Sequence, residues 1–294
     1  MKSRLLYAAL GALALTTPVT AQTNPTVYGS VVFGHEWEDM EAPPYGLYSM
    51  PADNGNAIKL EVRNDAIKAN GGGVYVDGMY HLVDFTRYEF EQVVTFRTFD
   101  TKNNWKLINE QTIKSYSSAA SDLTYDPVGD KIYGCFKETA TSTQYFLGTL
   151  NPITGFASKI ADIDEELIVL ASTRDGKLYG VGADGMLYSV DKQTGKLTKI
   201  GQTGKSVKYS QSATFDYASG RMLWAMTPHY TNESPELCEI DLSTGKTTTL
   251  ATIPERYEFT GIYTLSPYAA DNAPQTATAF GGKYEKGALS GTVS

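Results

Sequence analysis

Hydrophobic and polar residues alternate along this chain in short runs, and past its first twenty or so residues no helical period holds for more than about two turns. Val74-Tyr-Val, Leu123-Thr-Tyr, Leu170-Ala-Ser and Ala213-Thr-Phe are strand-length pieces, and each runs into a tight turn: Asp77-Gly78, Asp126-Pro127, Asp175-Gly176, and Asp216 leading to Ser219-Gly220. Asp-Gly between alternating strands is a strong short hairpin signal. The pattern predicts an all-β chain, and a content of 27 glycines and 20 tyrosines fits turns and half-buried strands.

A repeat lies on top of the alternation. Leu147-Gly-Thr-Leu-Asn-Pro-Ile-Thr-Gly155, Leu187-Tyr-Ser-Val-Asp-Lys-Gln-Thr-Gly195 and Leu237-Cys-Glu-Ile-Asp-Leu-Ser-Thr-Gly245 each read as a strand entering an Asx-x-x-Thr-Gly turn, with a second strand after it. Asn151, Asp191 and Asp241 can accept backbone N–H groups of the turn, and the glycines take its positive-φ position. Weaker copies end at Asn104, a residue type tolerated in the left-handed region, and at Gly55. The anchors 55, 104, 155, 195 and 245 are spaced by 49, 51, 40 and 50 residues, the period of a propeller blade.

A second column of large rings, Tyr28, Tyr80, Tyr133, Tyr179 and Trp224, is followed by Gly29, Gly134, Gly180 and Ala225, with His81 in the remaining place. A ring on one face of a strand and almost nothing on the other suits wedge packing between blades. Each unit then has four strands, except the first, which lacks its inner one. Phe259-Thr-Gly-Ile-Tyr-Thr-Leu-Ser-Pro267 reads as an inner strand with no blade after it. The expected fold is a five-bladed β-propeller over residues 22–268, closed by pairing 259–267 with the sheet of residues 26–64, which removes free sheet edges.

The stretch from Leu187 to Gly201 is similar to the repeats of secreted bacterial propellers in the quinoprotein-like and YVTN-like group. The resemblance covers roughly residues 26–267 and implies architecture. Quinoprotein dehydrogenases carry more blades, with a tryptophan docking motif in each. This chain has only Trp37, Trp105 and Trp224, so neither a quinone nor any other cofactor is expected.

The two ends have a different character. Lys2 and Arg4 precede an apolar run, Leu5 to Leu15, and the small-residue pattern Val19-Thr20-Ala21, which reads as a signal peptide (1–21) cut after Ala21. The protein is therefore expected to be secreted, to the periplasm, the cell surface or the medium, without membrane insertion. Residues 269–278 read as a linker, and 279–294 as the truncated start of a second module that resembles the first strand of an immunoglobulin-like or fibronectin type III domain. Further C-terminal domains of the same polypeptide are expected, and a signal peptide, propeller and sandwich in series resemble surface proteins of Bacteroidetes-type bacteria. Taking Lys2 and Arg4 from the 25 basic residues leaves 23 against 33 acidic ones, a formal charge of −10. With the basic residues scattered singly, nucleic acid is not an expected partner. Cys135 and Cys238 fall in non-adjacent blades and are expected to be free.

By analogy with other propellers, a ligand would sit on the face bearing the loops from second to third strand and from fourth strand to the next blade. The first loop set carries His35, Trp37, Arg87, Tyr88, Lys137, Glu138, His229 and Tyr230, and the second Tyr116, Tyr209 and Tyr257. Rings with Arg and His on one rim suit sugars or a protein partner. The leading expectation is a non-enzymatic module that binds a glycan or protein there. One alternative is a glycoside hydrolase built on channel carboxylates, for which Asp122, Glu165 and Glu258, with Asp164 and Glu166, lie near the starts of inner strands. Another is a structural spacer in a larger surface protein. His35-Glu36-Trp37-Glu38-Asp39 lacks the paired histidines of a zincin helix, so no metal site is expected. His81 is either a hydrogen-bonded core residue between blades or a group reaching a functional channel.

Overall fold

The computed structural model describes residues 24–35, 41–88, 91–139, 142–207, 210–229, 233–265, 283–285 and 288–290. The signal-peptide segment 1–21 and the linker 269–278 lie outside the described residues. In chain order the strands are β1 (Thr26–Val31), β2 (Gly46–Pro51) and β3 (Lys59–Arg63) of blade 1, and β4 (Gly73–Val76), β5 (Met79–Tyr88), β6 (Glu91–Asp100) and β7 (Lys106–Ile113) of blade 2. Blade 3 follows with β8 (Ala120–Asp126), β9 (Lys131–Lys137), β10 (Tyr145–Leu150) and β11 (Ala157–Ile163). Blade 4 holds β12 (Leu167–Ser172), β13 (Leu178–Gly182), β14 (Met186–Val190) and β15 (Leu197–Gln202), and blade 5 holds β16 (Ser212–Asp216), β17 (Arg221–Met226), β18 (Glu236–Ile240) and β19 (Thr247–Thr252).

A last blade strand, β20 (Phe259–Thr264), does not start a sixth sheet. It pairs antiparallel with β1, Val27 facing Thr264 and Val31 facing Phe259, so blade 1 reads β20-β1-β2-β3 from the axis outward. The chain is therefore an all-β five-bladed β-propeller closed by its late strand on its early one. Near the C-terminus β21 (Lys283–Glu285) pairs antiparallel with β22 (Ala288–Ser290).

The turn chemistry works as the repeat predicts in four of the five units. Gly155, Gly195 and Gly245 have φ of +71°, +69° and +79°, and Asn104 has +53°. Asn151 Oδ1 accepts the N–H groups of Ile153 and Thr154, and Asp191 Oδ1 those of Gln193 and Thr194. Gly55 is the exception. Its φ is not positive, and glycine is required there because a Cβ would stand 2.1 Å from the Thr252 carbonyl oxygen of blade 5.

The ring column needs a correction. Tyr28, Tyr133 and Tyr179 face the following blade, but Tyr80 packs back on Leu47 and Tyr263 of blade 1, and Trp224 packs back on Val169 and Leu187 of blade 4. The cross-strand register gives the reason: Thr98 lies opposite His81 as Thr149 lies opposite Tyr133, each two residues before the Asx of its turn. His81, not Tyr80, thus holds the tyrosine's place in blade 2. A shift of one residue along a strand moves a side chain to the other face.

The core is the set of seams between blades. Trp224, Tyr80, Phe96, Phe99 and Phe136 are fully buried there, and each contributes on the order of 1.5–3 kcal/mol by leaving water. Inner strands are buried on both faces, as in β12, whereas outer strands such as β15 have only half-buried and exposed positions. Asp126 and Asp216 close turns on the far face as expected, accepting the backbone N–H groups of Val128 and Ser219 at 3.0 Å each. Cys135 and Cys238 are both buried and free.

Candidate functional site

All five inner strands begin at one face of the wheel, which also carries the loops from second to third strand. On the axis below that face sits Asp122 of β8, fully buried. Its Oδ2 accepts the N–H groups of Leu170 in β12 and Ala213 in β16, each at 3.0 Å, and its Oδ1 accepts the Ser212 hydroxyl at 2.9 Å. Ser212 Oγ in turn accepts the Ile262 N–H of β20 at 3.1 Å. One carboxyl therefore ties together inner strands of four blades. Burial pushes its pKa up to about 8, against the downward pull of those donors. The strands approach so closely that a Cβ on Gly72, just ahead of β4, would stand 2.5 Å from the Asp122 carbonyl carbon.

Asp122 divides the axis in two. At the opposite end a recess of about 50 Å³ remains among Tyr75, Tyr125, Tyr217 and Tyr263. Above Asp122 a pocket of about 350 Å³ opens at the mouth. Phe85, Ala119, Ala120 and Ile168 form its apolar surface, and Asn70, Ser121, Lys137, Tyr145, Glu166 and Ser210 bring polar groups to it. The loops are fixed over the axis: Ser210, held at a φ of +60°, donates its hydroxyl to the Asn70 carbonyl at 3.0 Å, and the Asn70 N–H is accepted by Asp84 at 3.1 Å. Glu166 is the one carboxylate among the described residues lining the mouth. Burial raises its pKa, while hydrogen bonds from Tyr145 and Ser121 and the nearby Lys137 ammonium lower it. Lys137 Nζ also lies over the Tyr145 ring, 5.7 Å from its centroid.

The sequence-predicted residues reach this face unequally. His35 is buried, with its N–H donated to the Pro43 carbonyl and its carbonyl accepting the Tyr45 N–H. Arg87 and Tyr88 end β5, paired with Gln92 and Glu91, and Tyr116 opens a 3-10 turn at 116–118 before β8. His229 is exposed and donates its N–H to the Ser206 carbonyl. Tyr257 is half-buried, stacked on Phe259 and edge-on to Tyr48, with the Arg256 guanidinium 5.2 Å above its ring. Trp37, Tyr209 and Tyr230 lie outside the described residues. Among the carboxylates, Asp122 has its lone pairs taken by three donors from the inner strands β12 and β16. Glu165 points to its own blade, where burial and then Asp184 raise its pKa. The Glu258 carbonyl accepts the Val32 N–H. Neither Glu165 nor Glu258 lines the mouth pocket. Lys137 belongs to the loop set that the sequence marks and Glu166 to the carboxylates near the starts of inner strands, whereas Asn70, Ser121, Tyr145 and Ser210 carry no local signal.

No family model matches the chain, and no curated protein does. Among solved structures it is similar to a structural-genomics protein of unknown function from Bacteroides thetaiotaomicron, with 10% identity and a TM-score of 0.42 over 78% of this chain. The chain spans 65% of that protein's length. It is also similar to a protein of unknown function from Bacteroides caccae, with 9% identity and a TM-score of 0.47 over 81% of this chain and 98% of the other. A third similar structure is the α-L-arabinofuranosidase PaAbf62A from Podospora anserina, with 9% identity and a TM-score of 0.43 over 80% of this chain and 76% of that one. Among the described residues no three or more His, Cys, Asp or Glu side chains are grouped to hold a metal ion, and no helix is long and apolar enough to cross a membrane.

Proposed function

We propose that this protein is an exported binding module that takes the end of an uncharged glycan into the mouth pocket and does not cleave it. The observation that supports this reading is the division of labour between the two axial carboxyls. Hydrolysis of a glycosidic bond by the usual route needs two carboxyl groups about 5–9.5 Å apart and facing one cleft. Among the described residues the mouth presents Glu166 alone, and Asp122 below it is engaged by backbone N–H groups. What the mouth does present is suited to sugar hydroxyls: a carboxylate and an ammonium side by side, a phenol, two serines and an amide around an apolar patch that an aliphatic ring face can cover. The rim of Arg87, Tyr88, Tyr116, Tyr209, His229, Tyr230 and Tyr257 would extend contact to further sugar units, and secretion to the cell surface would bring the module to its ligand.

Glycan-array screening of the intact chain tests this. Binding should appear for neutral oligosaccharides, and Glu166→Gln or Lys137→Ala should weaken it by tenfold or more, since a hydrogen bond to a charged group is worth about 1.5–3 kcal/mol. Equal binding by both variants overturns the site, and release of reducing sugar from any bound glycan overturns the non-catalytic reading.

A further inference from the structure

The seam between blades 2 and 3 departs from its neighbour at three aligned positions. Between blades 3 and 4, Asp126 at the end of β8 is wholly buried and accepts a hydrogen bond from Lys192 Nζ at 2.5 Å. The same ammonium lies over the Tyr133 ring, 5.8 Å from its centroid. Cross-strand register identifies the counterparts one seam back. Thr124 faces Tyr133 and Val74 faces His81, so Val76 stands where Asp126 stands. Asn151-Pro152 and Asp191-Lys192 open the same turn, so Pro152 stands where Lys192 stands. An ion pair and a phenol in one seam are two apolar groups and an imidazole in the other.

The consequence is a cleft of about 510 Å³ between blades 2 and 3, away from the mouth pocket. Val76, Met79, Ile132, Leu150 and Pro152 wall it, and Ile108 and Ile153, 50% and 75% exposed, flank its opening. His81 forms part of the lining and is only 5% exposed. Its ring stacks on Phe96 at 5.8 Å and 9°, and its Nδ1 is hydrogen-bonded to Thr98 Oγ1 at 2.9 Å. Nε2 has no partner among the described residues. Burial lowers the His81 pKa to about 4, so the imidazole is neutral at physiological pH. The charges at the rim, Asp77, Asp130 and Lys131, are of mixed sign.

We propose that this cleft is a second binding site, for a small uncharged aromatic molecule whose single polar group hydrogen-bonds His81 Nε2. The volume is that of a small-molecule site, typically 300–1,000 Å³ with mostly apolar lining and few polar groups. The groups missing from this seam, a phenol ring and an alkyl stem, define what fills it. A charged ligand would lose its hydration with no counter-ion inside, which disfavours it strongly.

The test uses the intact chain, 2-naphthol as probe, and side-chain NMR of the three histidines, His35, His81 and His229. 2-Naphthol should shift the His81 ring signals saturably while leaving His35 and His229 in place. Naphthalene should bind about tenfold more weakly for want of the hydrogen bond, and 2-naphthoate more weakly again. Val76→Asp with Pro152→Lys, which copies the ion pair of the next seam, should abolish binding as followed by the fluorescence of the naphthyl probe itself. His81→Phe, which keeps a ring in place, should erase the preference for 2-naphthol over naphthalene, and it serves as the test should the double variant fail to fold. The proposal is overturned if 2-naphthol moves His81 no more than the other two histidines, if 2-naphthoate binds as well as 2-naphthol, or if both variants bind like the parent chain.

Discussion

Replacing Asp122 probes the physical centre of the wheel. Asp122→Ala removes, in a region closed to solvent, the acceptor of two backbone N–H groups and the partner of the Ser212 hydroxyl, which donates to the ionised carboxyl and accepts from the protonated one. Each polar group left unsatisfied costs about 1–3 kcal/mol, so the three together cost on the order of 4 kcal/mol after partial relaxation. For a domain of this size about 1 kcal/mol moves Tm by about 2–4 °C, so a fall of roughly 8–16 °C is expected. Asp122→Asn behaves differently. Its carbonyl oxygen can accept both N–H groups and its amide can donate to Ser212 Oγ, as a protonated carboxyl would. With a folded pKa of about 8 against an ordinary value near 3.8, the folded chain holds a proton that the unfolded chain releases. Below about pH 4 the two states are protonated alike. Between about pH 4 and 8 the aspartate protein loses stability by up to ~1.4 kcal/mol per pH unit, and above 8 the loss stops growing. The asparagine variant carries no such loss, so it should match the parent within about 1 kcal/mol at pH 4.5 and exceed it by pH 8. Urea unfolding at pH 4.5, 6 and 8 measures this, and other carboxylates cancel in the difference. Parallel pH curves for parent and Asp122→Asn would refute the reasoning, as would an alanine variant within 1 kcal/mol of the parent at pH 4.5.

Two further outcomes concern the core and the turns. Burial pushes the Cys135 and Cys238 thiols up to about 12, so neither should react with a disulfide reagent at pH 8 until the chain unfolds, and a reductant should leave Tm unchanged. Gly245→Ala places a residue with φ near +79° against the Gly201 carbonyl oxygen, 2.5 Å from the new Cβ, whereas Gly220→Ala, at +73°, meets nothing within 4 Å. Both lose about 1 kcal/mol to backbone strain. Only Gly245→Ala adds a backbone clash between blades 4 and 5, and denaturant midpoints should place it at least 1–2 kcal/mol below the Gly220 variant.

What local chemistry writes into the chain is legible without coordinates. Asx-x-x-Thr-Gly sets a turn because Asn151, Asp191 and Asp241 hold the N–H groups beside them and a glycine closes at positive φ, and both facts are local. The repetition of that unit, with an orphan strand expected at 259–267 and an incomplete first blade, is enough to close the wheel, and the strand observed, Phe259–Thr264, pairs as that reading requires. The facing of side chains was not. Tyr80 and Trp224 look like members of the tyrosine column by sequence, yet they sit one residue out of register, and period-two strands turn such an offset into the opposite face. The same sensitivity separates Glu166, at the mouth, from Glu165, which turns to Asp184. The mouth pocket itself gathers Asn70, Ser121, Lys137, Tyr145, Glu166 and Ser210 from segments up to 140 residues apart. No local pattern marks them, because only the closed ring brings its five loop sets around one axis and withdraws Asp122 from solvent beneath them.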